Sequence, residues 1–279
     1  MGEPRGVPSF HIDRVGQADR DRLVWLLDEQ AALPGVVRMR RWVREELAVR
    51  PGQTAVDLGC GTGGEVVELA GLVGDGGRAI GIDPNPAVLA LAAQRARGTG
   101  AEFVEGSAYA LPLPDASVDA LRCERVYQHL DDPARATGEI ARVLRPGGRV
   151  ALIDSDWATA IFHPGDPEIL DILRTGLQAD VPNPNSGRGL RGLLTAAGLV
   201  VDELGSEAVI WESATVLPMC QAIAGAAVEQ GELTAAQRDG LLADIEAGIA
   251  TGDHHFSVTM FAVLAHRPAS GVPPPVGAG

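Results

Sequence analysis

The spacing of apolar and polar positions changes character along the chain. Over 19–33, Leu23, Leu26, Leu27 and Ala31 recur at helical spacing until Pro34-Gly35 stops the pattern. Over 36–49, Val36, Val37, Trp42, Val43 and Leu47 alternate with Arg38, Arg40, Arg41 and Arg44, and Pro51-Gly52 closes that stretch. Both segments are predicted helices. Short apolar runs then take over at 55–58, 79–82, 102–104, 118–123 and 149–154, with a Pro-Gly-Gly turn at 146–148 leading into the last. Helical spacing fills 65–73, 86–97 and 133–144. Strands alternating with helices predict an α/β fold, a parallel doubly wound sheet with ligands at the carboxyl ends of its strands.

Beyond Trp157 the alternation loosens. Helices are expected over 167–178 and 189–197 with a loop at 181–186, then a strand over 200–211 bent near Gly205. The stretch 216–249 reads as mostly helical, broken near Gly231 and restarted by an N-cap at Thr234, and 255–265 reads as a final strand. Residues 1–18 are punctuated by proline and glycine and are expected to wrap the surface, whereas the Pro/Gly-rich 268–279 is expected to be disordered. The organisation expected is thus an N-terminal helical cap (1–48), a ligand-binding core (49–157), the rest of the sheet with helical insertions (158–267) and a tail (268–279). No internal repeat is present.

At 279 residues and 46% hydrophobic content the chain can bury a large core. All 23 basic residues are arginine and none is lysine. That excludes a Schiff-base lysine, and with it covalently held pyridoxal phosphate, and the usual phosphate-binding P-loop. Together with only three asparagines it points to a GC-biased coding sequence and a bacterial source. A net charge of −14 with 4% aromatic residues disfavours nucleic acid and anionic membrane surfaces as partners. No apolar run reaches membrane-spanning length, the first ten residues carry no apolar signal core, and Gly6 stands where a myristoylation signal needs Ser or Thr. Cys60, Cys123 and Cys220 are too few and too scattered for a disulfide framework or a zinc site, so no metal is expected. The expected setting is the cytoplasm.

The chemistry concentrates in Val56-Asp-Leu-Gly-Cys-Gly-Thr-Gly-Gly64, a strand-to-helix turn where glycine lets the backbone approach a ligand. Asp83 ends the next strand, twenty residues beyond Gly63, where a carboxylate can accept both ribose hydroxyl protons. Gly59, Gly61 and Gly64 also satisfy the dinucleotide pattern. Asp57 discriminates: an acid two residues before the first glycine would repel a pyrophosphate in the cleft, and it suits a ligand carrying an ammonium or a sulfonium.

From about residue 49 to 157 the chain resembles the class I S-adenosylmethionine-dependent methyltransferases, in the small-molecule branch of the ubiquinone/menaquinone C-methyltransferases. The resemblance is carried by Asp57-Leu-Gly-Cys-Gly-Thr-Gly63, Gly81-Ile-Asp-Pro84, Val104-Glu-Gly-Ser-Ala108 with Leu111-Pro-Leu-Pro114, Val118-Asp119, Gln128-His-Leu130 and Ile140-Ala-Arg-Val-Leu-Arg-Pro-Gly-Gly148, in that order. It implies a Rossmann-like seven-stranded sheet of order 3-2-1-4-5-7-6 with strand 7 antiparallel, and a lid built from the N-terminal helices and the 157–255 insertions. It implies S-adenosylmethionine as cofactor and S-adenosylhomocysteine as product. Gly59, Gly61 and Gly63 would line the methionine portion, Asp83 and Pro84 the ribose side, and Ser107 and Ala108 the adenine. Ser107 departs from the acid common before Ala108, and Glu124 replaces a small residue, placing it either at the cofactor's amino end or solvated at the rim.

His129 follows the fourth strand and can act as base on a phenol, enol or hydroxyl, or simply pack the following helix. Tyr127 reads as pocket lining or as an ordinary half-buried tyrosine. Asp154 and Asp156, at the end of the fifth strand, read as substrate contacts or as loop caps. His254-His255 does not read as a metal pair, because neighbours on a strand face opposite ways. The arginines at 38, 40, 41 and 44 read as a solvated helix face from which one side chain could reach the cofactor carboxylate. Trp157, Phe162, Trp211 and Met219 read as pocket wall or as core. The function expected is methyl transfer to an O, N or C nucleophile of a small molecule, with a secondary metabolite as candidate acceptor, by a monomer or homodimer. The alternatives are a cofactor-binding relative catalysing a cyclisation or decarboxylation, a dinucleotide-dependent reductase, and a non-enzymatic binding module.

Overall fold

A computed structural model describes residues 17–179 and 181–269. Helices α1 (Gln17–Ala32) and α2 (Pro34–Leu47) lead into the predicted alternation of β1 (Thr54–Leu58), α3 (Gly64–Val73), β2 (Arg78–Asp83), α4 (Pro86–Arg95), β3 (Ala101–Glu105) and β4 (Val118–Glu124). A 3-10 turn (Tyr127–His129), α5 (Pro133–Val143) and β5 (Leu144–His163) follow. The chain continues through α6 (Pro167–Ala179), α7 (Ser186–Ala196), β6 (Val200–Ile210), α8 (Ser213–Glu229), α9 (Ala235–Thr251) and β7 (His255–His266). The expected surface wrap up to residue 16 and the expected disordered tail from residue 270 lie outside the described residues.

The seven strands form one sheet in the order β3-β2-β1-β4-β5-β7-β6, with β7 antiparallel. The pairs β1–β2, β1–β4, β2–β3 and β4–β5 are parallel, and Leu58 lies opposite both Ile82 and Cys123. The carboxyl ends of β1, β2 and β4 therefore lie side by side. β1 is buried on both faces, as a central parallel strand requires.

Contacts divide the chain into two compact units. One comprises residues 38–154, 186–206 and the chain from 261. Its core packs Val56, Leu58, Ile80, Ile82, Leu121 and Leu152 of the sheet with Ile140 of α5 and Leu190 and Leu194 of α7. The other comprises the chain up to 37 together with 155–185 and 207–260. Its core joins Phe162, Leu173, Cys220, Ala224, Ile245 and Phe256.

The Pro-Gly-Gly turn at 146–148 falls inside the fifth strand as an irregularity of register: Leu144 pairs with Val118 and Arg149 with Ala120, and Gly147 has φ +78°. A partner far away in sequence holds it, since the Gly147 N–H donates to the Arg267 carbonyl and the Arg267 N–H donates to the Gly148 carbonyl. Gly205 lies within β6. It makes room for a ring, since a Cβ there would lie 2.6 Å from two atoms of Trp42. The restart at Thr234 is as expected: its side chain accepts the Gln237 N–H, and the Gln237 side chain reaches back to the Thr234 N–H in a capping box.

Candidate active site

The glycine turn between β1 and α3 is shaped by what surrounds it. Gly59 has φ +72°, and a Cβ on it would meet Val126 Cγ2 at 2.2 Å. The chain leaving β4 thus lies against the turn, and only glycine fits. Gly63 caps α3 with φ +83°. The amides of the turn are used within the protein. Gly59 and Cys60 donate to the Ile82 carbonyl at 2.7 and 3.1 Å, Gly63 donates to the Cys60 carbonyl, and Gly61 donates to Asp83 Oδ2 at 3.0 Å. A phosphate-binding turn keeps such amides pointing at its ligand, and these four are taken by the protein itself.

Asp83 is held by two amides, Gly61 on Oδ2 and Asn85 on Oδ1 at 2.9 Å. Burial raises its pKa, and the two amide donors oppose the rise. Each carboxylate oxygen keeps a further lone pair, so the group can still accept two hydroxyl protons. Its aim is set locally. Asn85 caps α4 by accepting the Ala87 and Val88 N–H groups, with Pro86 preorganised at the first helical position, and Pro84 is exposed beside it.

Ser107 and Ala108 lie in the loop after β3, which the Gly106 N–H fastens to the Asp83 carbonyl at 3.2 Å. Ser107 Oγ accepts the Tyr109 N–H and Ala108 is buried. His129 closes the 3-10 turn after β4, half-buried, with its backbone N–H donating to the Val126 carbonyl. Asp154 steadies that turn by accepting the Gln128 N–H at 3.0 Å. Tyr127 is fully buried, and its hydroxyl is bonded to Thr137. Asp154 and Asp156 are strand residues of β5, both wholly buried.

The largest departure from expectation is electrostatic. Glu124 is neither solvated nor at a rim: it is 8% exposed and gripped by arginines. Arg40 of α2 takes it in a bidentate pair, Nε to Oε2 and Nη2 to Oε1, both at 2.8 Å. Arg122 Nη2 also donates to Oε2, and Arg125 Nη2 lies 3.2 Å from Oε1. Burial opposes ionisation, but the three guanidiniums hold this carboxyl well below the usual carboxylate range. Asp57, 2% exposed, accepts from Arg122 Nη1 at 2.9 Å. Burial pushes its pKa up to about 6, against the pull of Arg122. Arg44 Nη1 donates to both oxygens of Glu65, at 2.7 and 2.9 Å. Asp57 is therefore no bare carboxylate in the cleft.

Sequence reading missed Arg122 and Glu65. The signal for Arg122 was present, since a charge inside the buried parallel strand 118–124 needs a partner, but beyond Glu124 of the same strand its partners come from β1 and α3. The α2 arginines divide: Arg38 and Arg41 are exposed, whereas Arg40 and Arg44 reach inward to Glu124 and Glu65. Burial raises the Cys60 and Cys123 thiols above their ordinary range. Phe162 belongs to the core of the second unit. Trp157, Trp211 and Met219 pack against it, with Trp157 and Trp211 ring centroids 6.1 Å apart. Among the described residues no group of His, Cys, Asp or Glu is arranged to hold a metal ion, and no helix is long and apolar enough to cross a membrane.

Residues 56–152 match the family model described as a methyltransferase domain. An uncharacterised 37.1 kDa protein encoded in transposon TN4556 of Streptomyces fradiae is 38% identical over 177 residues, covering 63% of this chain and 51% of that protein. The ubiquinone/menaquinone biosynthesis C-methyltransferase UbiE of Enterobacter sp. (strain 638) is 33% identical over 125 residues, covering 43% of this chain and 50% of that enzyme. The chain spans about half the length of these curated relatives. A SAM-dependent methyltransferase from Aquifex aeolicus shares the fold with a TM-score of 0.55 at 17% identity, over 88% of this chain and 97% of that one. The matched region coincides with the glycine turn, Asp83 and the strands that carry them: residues 56–152 form a class I S-adenosylmethionine-dependent methyltransferase domain resembling that of the ubiquinone/menaquinone C-methyltransferases.

Proposed function

We propose that this protein transfers the methyl group of S-adenosylmethionine to an O, N or C nucleophile of a small molecule and releases S-adenosylhomocysteine. The observation that carries the reading is Asp83, an acid at the carboxyl end of β2 that is fastened by two amides and retains a lone pair on each oxygen. That arrangement fits the two hydroxyls of an unphosphorylated ribose. Pro84 lies beside it, and Ser107 and Ala108 take the adenine side, Ser107 keeping its hydroxyl proton free to donate. Gly59, Gly61 and Gly63 give the methionine portion a close approach to the backbone. On this reading Asp57 and Glu124 lie toward its amino end, Asp57 paired with Arg122 and Glu124 with Arg40, Arg122 and Arg125.

When bound, S-adenosylmethionine supplies a methyl group on a positive sulfur, activated without help from a metal. The protein's task is then to place the nucleophile in line, exclude water and take one proton where the nucleophile is weak. His129 is the residue we assign to that proton, because its turn is held to β5 through Asp154 and follows β4 directly beside the glycine turn.

Calorimetry with S-adenosylhomocysteine tests the cofactor half. Asp83→Ala is expected to weaken binding about 100-fold, from the loss of two charge-assisted hydrogen bonds at about 1.5 kcal/mol each. Equal affinity in wild type and variant sinks the site assignment. For the reaction itself, product mass decides. A gain of one CH2 with release of S-adenosylhomocysteine supports transfer, and a converted product of unchanged mass supports a cyclisation on the same fold.

A further inference from the structure

Tyr109 sits between the two parts of the site that matter most and belongs to neither. Its hydroxyl oxygen accepts two main-chain donors, the Asp131 N–H at 2.7 Å and the Asp132 N–H at 3.2 Å. These residues immediately follow the turn that ends in His129, and Asp132 is the N-cap of α5, accepting the Arg135 N–H on its own side chain. The Arg135 guanidinium lies over the Tyr109 ring, 5.5 Å from its centroid, so the ring is held from above as well as at its tip. At its other end Tyr109 is part of the adenine-side loop. Its N–H donates to Ser107 Oγ at 3.2 Å, and the Ala110 N–H donates to the Ser107 carbonyl at 3.1 Å. One residue earlier, the Gly106 N–H is fastened to the carbonyl of Asp83.

We propose that Tyr109 is a positioning residue: its phenol ties the loop that would hold the adenine to the turn that carries His129, so that filling the nucleoside half of the site also fixes the candidate base. The proposal rests on the cofactor reading above. The two amides that Tyr109 captures lie at exposed positions, so water could solvate them at little cost. What the hydroxyl adds is therefore location more than hydrogen-bond satisfaction. Without it, the turn keeps the Asp154 anchor behind Gln128 and its internal bond from the Leu130 N–H to the Tyr127 carbonyl. It loses its connection to Ser107. Ser107 can serve both partners, since a hydroxyl that accepts the Tyr109 N–H still has a proton and a second lone pair for the purine. A ligand that orders Ser107 thus orders Tyr109, and through it the peptide bonds of Asp131 and Asp132. The coupling is a linkage between ligand binding and local opening of 128–132.

The test is amide hydrogen exchange of the full chain with and without S-adenosylhomocysteine, adenosine or L-homocysteine, together with calorimetry. In wild type, S-adenosylhomocysteine and adenosine are expected to slow exchange across 128–132 about tenfold, the scale of one intramolecular hydrogen bond, and L-homocysteine is expected to leave it unchanged. In Tyr109→Phe the slowing is expected to vanish while the affinity for S-adenosylhomocysteine stays within about threefold, well under the tenfold that 1.4 kcal/mol represents. A merely structural tyrosine behaves differently: its loss would raise exchange equally with and without ligand and leave the ligand-dependent part intact, which would overturn the proposal. Slowing by L-homocysteine alone would overturn it too. Failure of the wild-type chain to bind S-adenosylhomocysteine would overturn the cofactor reading and this inference together. Normal binding with uncoupled exchange sinks the inference alone.

Discussion

Arg122 is the residue whose removal the structure makes most consequential. It is 2% exposed in the central strand β4 and donates to Asp57 and Glu124 from its two terminal nitrogens. Arg122→Met keeps much of the volume and removes the charge. Glu124 retains Arg40 and Arg125, but Asp57 then has no cation at hydrogen-bond distance. An uncompensated buried charge of this kind costs about 3–5 kcal/mol, a large share of an ordinary folding free energy. The loss should depend on pH. Burial places the Asp57 pKa at about 6 in the folded protein, above its ordinary 3.8, so the folded state holds this proton longer than the unfolded one. The stability associated with that proton is complete at low pH and is lost as pH rises through about 6. Removing Arg122 raises the folded pKa further, so the variant goes on losing stability above that point, by at most about 1.4 kcal/mol per pH unit. Urea denaturation at pH 5 and pH 8 should show a larger destabilisation at pH 8, and adding Asp57→Asn to the variant should recover most of it. A loss below about 1 kcal/mol, an equal loss at both pH values, or no recovery in the double variant would refute this account of the charge cluster.

Two further outcomes are expected. Gly59→Ala combines a positive φ with a Cβ 2.2 Å from Val126 Cγ2, and should cost about 2–4 kcal/mol in a denaturant titration. Val126→Ala in the same chain should relieve the clash and leave the backbone strain. His129→Ala should lower single-turnover methyl transfer to the acceptor identified by mass about 10²- to 10⁴-fold. Its affinity for S-adenosylhomocysteine should stay near wild type by calorimetry.

The placement of the glycine turn and of Asp83 was legible because it is local. A strand, a glycine turn and a helix are consecutive, and Asp83 lies one strand–helix unit further on, so residue spacing alone brings these groups to one edge of a sheet. The same holds for the capping box at Thr234 and the alternation over 54–124, where apolar period and turn residues agree. The charge cluster was not legible for the opposite reason. Arg40 and Glu124 are 84 residues apart, and Arg122 and Asp57 are 65 apart. A helical face bearing four arginines looks solvated until the fold shows that two of them turn inward to carboxylates.

By itself, then, the sequence determined the α/β class, the strand that carries Asp57, the turn that follows it and the acid at Asp83, all of which depend on neighbours within about one strand–helix unit. The tertiary structure decided which charges are compensated, that the 146–148 turn is held by Arg267, and that Tyr109 joins the Ser107 loop to the turn ending at His129. Each of those depends on groups brought together across the sheet, where burial makes an unpartnered charge or amide costly and so selects its partner.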